Sequence, residues 1–272
     1  MRAAACPPGP AVKSRTSRDR RPWVLAVGGL DPTASAGIVA DARSIEALGG
    51  RPAIAATALT VQTGGQVMEV SAVPPERVVA QMEAVFGQLP VAAVKIGLVP
   101  RPATARAVAR LLRRQRAVTV VDPVVTASAG TELATAGTLA AVRAELFPIA
   151  DLVTVNLEEA ARLCGFRVTD AAAMEAAAQA IAGFGPDAVL VKGGHLAGQP
   201  RDFLWAGGRG RWFSAPRLKG RDMHGSGCAL AAAAAAALAR GLGVEEAVAV
   251  ARRHARRLIA RATRGRDGAW LR

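Results

Sequence analysis

The sequence has few of the residues that build disulfide or metal frameworks. Its 272 residues include only three cysteines, Cys6, Cys164 and Cys228, which lie far apart. An odd number of widely spaced cysteines excludes the patterns typical of disulfide-rich and zinc-binding domains. The three histidines show no metal-ligand spacing, and no Ser/His/Asp set stands out. We therefore expect a protein of a reducing, cytoplasmic compartment.

The sequence also lacks a long apolar run and the common phosphate-binding motifs. No segment approaches the roughly 18 apolar residues that a membrane-spanning helix needs. The alanine run at 231–237 is weakly hydrophobic and is soon followed by Arg240. Neither G-x-x-x-x-G-K-[ST] nor G-x-G-x-x-G after the first predicted strand is present. We therefore expect no membrane association, and phosphate would have to bind without a Walker loop.

Lysine is scarce, although the chain is strongly basic. Only four of the 35 basic residues are lysines, and the formal net charge is +14. The two ends, residues 1–21 and 252–272, together carry +12 of this charge, so the body between them is nearly neutral. Near the C-terminus the arginines fall on one side of a predicted helix whose other side is apolar. This pattern is typical of a solvated surface helix and disfavours nucleic-acid binding.

Predicted strands and helices alternate along most of the chain. Residues 1–21 are rich in Pro, Arg and small residues without a hydrophobic period, which predicts a disordered tail. A strand at 23–28, a glycine turn at 28–32 and a helix at 36–48 begin the alternation. It predicts an α/β fold whose mostly parallel sheet is covered by helices on both faces. No linker divides residues 22–272, so we expect one domain there.

Two β-leaning runs interrupt the alternation. Residues 53–61 and 66–73 surround a Thr-Gly-Gly turn and predict a hairpin or a pair of strands. Such a pair can extend the edge of a sheet toward a second subunit. We therefore expect a homodimer.

Polar residues and glycines collect where the predicted strands end. In open α/β sheets, ligands bind outside the carboxyl ends of the strands. Such positions hold Asp31, Lys95, Asp122, Asn156 and Lys192, together with the glycines at 28–29, 97 and 193–194. The sequence therefore predicts a ligand site along this edge of the sheet.

The segment 223–228, Met-His-Gly-Ser-Gly-Cys, leads directly into an alanine-rich helix. Because alanine is the strongest helix former, the helix should begin at this turn. Its first N–H groups could then bind an anion, and Gly225 and Gly227 would let a phosphate approach the main chain. Cys228 would lie in the first helical turn, where the pKa of a thiol is usually lowered. The alternative is a tight turn followed by a small buried cysteine.

Four other residues at strand ends suggest phosphate chemistry. Asp122 would hold Mg²⁺ or its waters, or would only form a local turn with the proline that follows. Glu159 would contact a metal-bound water, although Asn156 and Glu159 also match a helix capping box. Lys192, beside two glycines, would offset charge on a transferring phosphoryl group, or would be a surface lysine at a strand exit.

Two further polar residues are weaker candidates. Asp41 falls within the first predicted helix, where polar side chains usually face solvent. Gln62 lies in a run of Ala, Thr and Val and is a better candidate for a hydrogen bond to a ligand.

Seven sets of motifs, in register, resemble the ribokinase-like superfamily. Within it, the chain resembles the hydroxymethylpyrimidine/phosphomethylpyrimidine kinases of thiamine biosynthesis from about Trp23 to the C-terminus. Each motif is weak alone, whereas the ordered set is specific. The motifs are GLDP at 29–32 with AGIVAD at 36–41, TALTVQT at 57–63, KIG at 95–97, VDPV at 121–124, NLEEA at 156–160, VKGGH at 191–195 and HGSGC at 224–228.

The resemblance implies a three-layer ribokinase-like fold and an acceptor site for a pyrimidine. It implies that ATP, with Mg²⁺, donates its γ-phosphoryl group to a hydroxymethyl group. In this family the pyrimidine would be contacted by residues matching Gly29, Asp41, Gln62 and Val124. Asp41 and Gln62 would hydrogen-bond the ring nitrogens and the amino group.

The resemblance also implies a set of phosphate contacts. Cys228 would be the base, because sugar kinases of the superfamily carry Asp at that position, whereas the pyrimidine and pyridoxal branch carries Cys. The anion hole would consist of Gly225, Ser226, Gly227 and Cys228. The nucleotide would be contacted by Lys192, Asn156 and Gly225, and the metal by Glu159 and Asp122.

The chain departs from the family pattern around the acceptor. Leu30, residues 34–35 and Val39 differ from the usual motif, Thr63 replaces a common Asn, and Leu98 replaces a common Met. These changes bear on which heterocycle binds more than on phosphoryl transfer.

Two alternatives therefore stay open. One is a pyridoxal kinase on the same scaffold, although Ala127 stands where some members would place a second cysteine. The other is a pyrimidine-binding protein without catalysis. The presence of both Cys228 and Lys192 argues against it.

Overall fold

The computed structural model describes residues 21–127, 130–194, 196, 199–218, 223–266 and 270–271. Of the predicted tail at 1–21, only Arg21 lies inside these ranges. His195 of the VKGGH motif also lies outside the described residues.

A nine-stranded sheet forms the centre of the described part of the chain. In chain order the strands are β1 (Trp23–Leu30), β2 (Arg51–Gln62), β3 (Val67–Ala72), β4 (Val91–Ile96), β5 (Val118–Val121), β6 (Leu152–Asn156), β7 (Ala188–Gly193), β8 (Arg201–Ala206) and β9 (Arg209–Ser214).

The strand order across the sheet is β3-β2-β1-β4-β5-β6-β7-β8-β9. Six neighbouring strands pair in parallel, namely β2, β1, β4, β5, β6 and β7. β3 at one edge, and β8 and β9 at the other, pair antiparallel with their neighbours. The carboxyl ends of the parallel strands therefore share one edge, where an α/β fold binds its ligands.

Helices cover both faces of the sheet, and each face has its own apolar core. One core packs five helices, α2 to α6, and the other packs α1 and the last two helices. This arrangement confirms the predicted three-layer α/β architecture. The helices are α1 (Gly37–Ala47), α2 (Pro75–Gln88), α3 (Pro102–Leu112), α4 (Ala136–Glu145), α5 (Leu157–Cys164), α6 (Ala171–Ala182), α7 (Ser226–Ala239) and α8 (Val244–Arg261).

The alanine-rich helix α7 is buried in one of these layers. Residues 231–237 have no exposed surface, and α7 contacts α1, α8, β4 and β5. Because alanine has a small side chain, it lets the α7 backbone lie close to the sheet and to both neighbouring helices. α7 is thereby held with its first turn at the ligand-binding edge.

Several boundaries differ from those predicted. Gly28 and Gly29 belong to β1 and pair with β2, so the turn predicted at 28–32 begins only after Leu30. A two-stranded sheet of β10 (Thr263–Arg264) and β11 (Trp270–Leu271) was not predicted. Within the described ranges, no helix combines the length and the hydrophobicity needed to cross a membrane.

Candidate active site

A cavity of about 860 Å³ opens at the carboxyl ends of the parallel strands. Every site residue predicted from the sequence lines it, although these residues come from seven separate parts of the chain. The predicted residues that line the cavity are Gly29, Asp41, Gln62, Asp122, Val124, Asn156, Glu159, Lys192, Gly225, Ser226, Gly227 and Cys228.

The turn that opens α7 has the geometry of an anion site. Gly225 is in the left-handed region, with φ of 80°, and no side chain of the described residues caps the first turn of α7. A Cβ atom on Gly225 would lie 2.2 Å from the carbonyl oxygen of Ser35, so a larger residue could not keep this backbone position. The first N–H groups of a helix have no partner within it, and the helix dipole favours an anion there.

Cys228 lies in the first turn of α7 and is partly exposed at the cavity. Its thiol does not have the lowered pKa that its helical position suggested. Burial, together with the carboxylates of Asp122 and Asp41, raises the pKa of Cys228 to about 12, although Lys95 and Lys192 oppose the rise. The expectation of a lowered thiol pKa was therefore wrong for the ligand-free protein, because removal of the sulfur from water outweighs the nearby positive charges.

Lys192 extends from β7 toward the α7 turn and forms an ion pair inside the cavity. Its Nζ donates a hydrogen bond to Oδ1 of Asp122 at 2.8 Å, and Thr154 donates to the same oxygen at 2.8 Å. A Cβ atom built on Gly227 would lie 3.1 Å from the Lys192 Nζ, so the ammonium group borders the predicted anion site. Lys192 is therefore not the surface lysine of the alternative interpretation.

Lys192 and Asp122 each stabilise the charged form of the other. Burial alone would raise the pKa of Asp122, but Lys192, Lys95 and two hydrogen bonds hold it below its ordinary value. Burial alone would lower the pKa of Lys192, but Asp122 and Glu159 raise it above its ordinary value. Both groups are therefore charged near neutral pH.

Asn156 and Glu159 form the helix cap that was the alternative to a metal role. The Asn156 side chain accepts from the Glu159 N–H at 2.8 Å, and Glu159 Oε2 accepts from the Asn156 N–H at 2.8 Å. The capping box is therefore confirmed. Burial raises the pKa of Glu159 to about 7, with Asp122 adding to the rise and Lys192 opposing it.

Asp41 is buried in the cavity wall. Its position in the helix suggested a side chain that faces solvent, and the structure shows that it does not. Its Oδ2 accepts a hydrogen bond from Lys95 Nζ at 2.9 Å, and the two side chains are 0% and 1% exposed. Lys95 comes from β4 and received no role from the sequence. A lysine inside an otherwise apolar strand, Val91–Ile96, was the signal that could have identified it.

The remaining predicted contacts lie at the ends of β1, β2 and β5. Gln62 is the last residue of β2, and Val124 follows β5 by three positions. Gly29 lies against Leu98, because a Cβ atom on Gly29 would come within 3.0 Å of Leu98 Cδ2. Leu98 also lines the cavity. Gly29, which keeps the family motif, is therefore in contact at the cavity wall with Leu98, which departs from it.

The carboxylates suit a magnesium ion that is bound mainly through water and phosphate. Asp122 Oδ2 accepts no hydrogen bond from the part of the chain that the structure describes. Among the described residues, no group of three or more His, Cys, Asp or Glu side chains is arranged to hold a metal ion. Mg²⁺ commonly takes one or two carboxylate ligands and completes its shell with waters and substrate phosphates. The donor set of Asp122 and Glu159 fits this mode.

Comparisons with known proteins agree on the family. The model of the family described as phosphomethylpyrimidine kinase matches residues 31–270. A hydroxymethylpyrimidine/phosphomethylpyrimidine kinase of Streptomyces coelicolor is 41% identical over 233 residues, which cover 86% of this chain and 87% of that protein.

Two solved structures show the same fold. Phosphomethylpyrimidine kinase from Clostridium difficile is 29% identical with a TM-score of 0.77, covering 87% of this chain and 99% of its own. Pyridoxal kinase from Staphylococcus aureus, in complex with AMP-PCP and pyridoxal, is 26% identical with a TM-score of 0.85, covering 92% of each chain. The resemblance found in the motifs is thereby confirmed, and the chain belongs to the phosphomethylpyrimidine kinase family.

Proposed function

We propose that this protein phosphorylates 4-amino-5-hydroxymethyl-2-methylpyrimidine and then its monophosphate, using ATP and Mg²⁺. The product of the second step is the diphosphate used to build thiamine. One observation carries the proposal. The uncapped first turn of α7, the sulfur of Cys228 and the ammonium group of Lys192 share one cavity with the residues expected to contact a pyrimidine. We further propose that residues 22–272 act as one cytoplasmic kinase domain.

In the proposed mechanism, the α7 turn and Lys192 hold the transferring phosphoryl group. The N–H groups of Gly225, Gly227 and Cys228 would donate to its oxygens, while that of Ser226 donates to the Met223 carbonyl oxygen at 3.3 Å. Lys192 would offset the charge on the phosphate oxygens. The hydroxyl oxygen of the acceptor forms the new bond to phosphorus, the bond between the γ-phosphorus and the bridging oxygen breaks, and ADP leaves. The proton of the hydroxyl group goes to Cys228 as a thiolate. In the second step, a phosphate oxygen of the monophosphate attacks in place of the hydroxyl oxygen.

Asp122 and Glu159 would hold the magnesium ion or its waters. When bound, the ion supplies positive charge that stabilises the phosphate oxygens. Asn156 would contact the nucleotide beside this pair, and it keeps Glu159 in place through the capping box.

The end of the cavity where the pyrimidine would bind is called the acceptor end. There the ion pair of Lys95 and Asp41 would hold the pyrimidine contacts in place. The Lys95 ammonium group holds Asp41 in the wall of the cavity. We propose that Asp41 and Gln62 hydrogen-bond the ring nitrogens and amino group of the pyrimidine, while Gly29 and Val124 contact its faces. Leu98 provides apolar surface beside Gly29.

The acceptor identity is tested by measuring ADP release with four compounds. Hydroxymethylpyrimidine and its monophosphate should both support turnover, whereas ribose should not. Product mass should show one added phosphate at each step. If neither pyrimidine supports ADP release above the rate without acceptor, the proposal is wrong.

Pyridoxal is the fourth compound because the pyridoxal kinase from Staphylococcus aureus has the higher TM-score of the two solved structures above. A higher kcat/KM for pyridoxal than for hydroxymethylpyrimidine would establish this second candidate function. The side chain of Ala127 in the cavity wall offers no thiol to an aldehyde, which favours the pyrimidine.

We also propose that two copies of the chain associate through β2 and β3. These strands form one edge of the sheet and carry exposed apolar side chains. Leu59, Val61 and Met68 are 51%, 50% and 56% exposed. Exposed apolar side chains gathered on one strand pair favour an interaction site, and a second copy offers a matching apolar strand pair.

Light scattering should give a mass twice the 27.9 kDa of the chain. The double variant Leu59→Asp/Val61→Asp should give the mass of one chain, because charge is then buried in the proposed interface. Phe166→Asp is the matched control, since Phe166 is another exposed apolar residue, outside β2 and β3. A wild type with the mass of one chain at micromolar concentration would refute the dimer.

A further inference from the structure

Asp31 fixes the loop between β1 and α1 at the wall of the cavity. Its Oδ1 accepts from the Thr33 N–H at 2.8 Å, and its Oδ2 accepts from the Ala36 N–H at 2.9 Å. The Thr33 hydroxyl lies 2.8 and 2.9 Å from the two oxygens. This carboxylate is 3% exposed, yet it lines the cavity. The shape of the loop therefore depends on one charged side chain.

The same carboxylate lies next to two other segments of the candidate active site. His224 Nε2 lies 3.6 Å from Asp31 Oδ2, and His224 immediately precedes Gly225. The end of β2 is joined to the same loop, because the Thr60 hydroxyl, two residues before Gln62, donates a hydrogen bond to the carbonyl oxygen of Leu30 at 2.8 Å. Burial alone would raise the pKa of Asp31, but His224, Gln62 and Thr33 together hold it well below its ordinary value. Asp31 is therefore a carboxylate over the whole physiological range.

A second contact joins the loop to the start of α7. The α-carbon of Gly225 faces the main chain of Ser35 and Ala36 so closely that a Cβ atom there would meet both. Any movement of the loop would therefore move the turn at 224–228 as well. His224 is only 8% exposed, and neither of its ring nitrogens has a hydrogen-bond partner among the described residues. The position of its ring is consequently set by packing and by the charge of Asp31.

These contacts connect the two ends of the cavity. Gln62 belongs to the proposed acceptor end, and the turn at 224–228 belongs to the proposed phosphate end. We propose that Asp31 is a positioning residue, which keeps the acceptor contacts and the anion-binding turn in a fixed mutual geometry. This inference rests on the proposed function, because it assigns Asp31 to the alignment of the acceptor hydroxyl group with the transferring phosphoryl group.

The variant Asp31→Asn tests the proposal, because it removes the charge and keeps the size of the side chain. We expect kcat to fall about 100-fold, since a misplacement of about 1 Å has an effect of this size. KM for ATP and for the pyrimidine should change far less than kcat. The amount of phosphorylated pyrimidine formed per ADP should also fall, because water would replace the misaligned hydroxyl group.

Asp151→Asn is the matched control. Asp151 Oδ2 also accepts a backbone N–H, that of Thr119 at 2.7 Å, but Asp151 does not line the cavity. This variant should lose stability without a change in kcat or in product formed per ADP. If Asp31→Asn behaves in the same way, or if it raises KM and leaves kcat unchanged, the proposal is overturned. His224→Gln, which leaves the bonds of the loop intact, should lower kcat in the same direction.

Calorimetry provides a readout that does not require turnover. In the wild type, hydroxymethylpyrimidine should increase the affinity for MgADP about fivefold or more, a common size for coupling between two sites. Asp31→Asn should bind each ligand and lose this coupling. A wild type without coupling, or a variant that keeps it, would contradict the role of Asp31. Absence of turnover with every acceptor would instead refute the proposed function.

Discussion

Replacing Cys228 with alanine is expected to lower kcat for hydroxymethylpyrimidine by at least about 100-fold, the usual contribution of a positioned base. Cys228 is the only sulfur-bearing residue of the α7 turn, and its side chain reaches the cavity beside Lys192. The loss should appear in kcat, with KM for ATP little changed, because alanine is compatible with the first turn of a helix. Steady-state ADP release measures the effect.

The variant Cys228→Ser distinguishes a base from a hydrogen-bonding group. Burial raises the pKa of the thiol to about 12 in the ligand-free protein although Lys95 and Lys192 oppose the rise, so the base role requires the bound substrates and the magnesium ion to favour the thiolate. Serine keeps a hydrogen-bonding atom but is a much weaker acid than cysteine. If the serine variant is as slow as the alanine variant, the sulfur is the base. A serine variant with wild-type kcat would remove proton transfer from the role of Cys228.

Replacing Lys192 with methionine is expected to lower kcat by about 100-fold to 1,000-fold, the range for removal of one preorganised group that stabilises developing charge. The Lys192 ammonium group borders Gly227, so it places a positive charge at the proposed anion site. Methionine keeps the apolar stem and removes the charge. ADP release, measured at saturating ATP and pyrimidine, gives the loss of kcat.

The same substitution leaves Asp122 buried without its main partner, so stability must be separated from catalysis. Lys192→Met should lower the melting temperature, because an unpaired buried carboxylate is strongly destabilising. The double variant Lys192→Met/Asp122→Asn removes that carboxylate charge and should recover much of the stability. Its kcat should stay low. Recovery of kcat together with stability would show that Lys192 acts only as the partner of Asp122.

The fold was predictable because local signals and the global arrangement agree. The sequence predicts a helix at 75–88, where a proline opens a helical pattern, and a strand at 91–96, and these are the bounds of α2 and β4. The strand ends were therefore placed well enough for Asp122, Asn156 and Lys192 to fall together at one cavity. Glycines were less reliable as markers of strand ends, because Gly28 and Gly29 continue β1 through pairing with β2.

Charges in the site could not be predicted from spacing along the chain. Asp41 was expected to face solvent, because only the tertiary structure brings Lys95 of β4 against α1. The pKa of Cys228 was expected to be low from its helical position, but it depends on how much water the surrounding elements exclude. Both errors concern interactions between residues that are distant in sequence, which periodicity and capping patterns do not report.

The seven motifs were informative for a different reason. The pattern of residues 156–159 by itself predicts a helix capping box, and the structure confirms it. A structural role and a functional role can share the same atoms, because the cap holds Glu159 beside Asp122 at the cavity. The order of the motifs along the chain indicated the family, whereas the physical pattern of each motif indicated its local structure.

The transferring phosphate is proposed to bind at the first turn of α7. A crystal structure with MgADP, aluminium fluoride and hydroxymethylpyrimidine tests this placement directly, because aluminium fluoride mimics the phosphoryl group during its transfer. The mimic is expected within hydrogen-bonding distance, about 2.7–3.2 Å, of the backbone nitrogens of Gly227 and Cys228, with the Cys228 sulfur beside the hydroxyl group. A mimic bound at another part of the cavity, with these backbone nitrogens left to water, would contradict the proposed phosphate site.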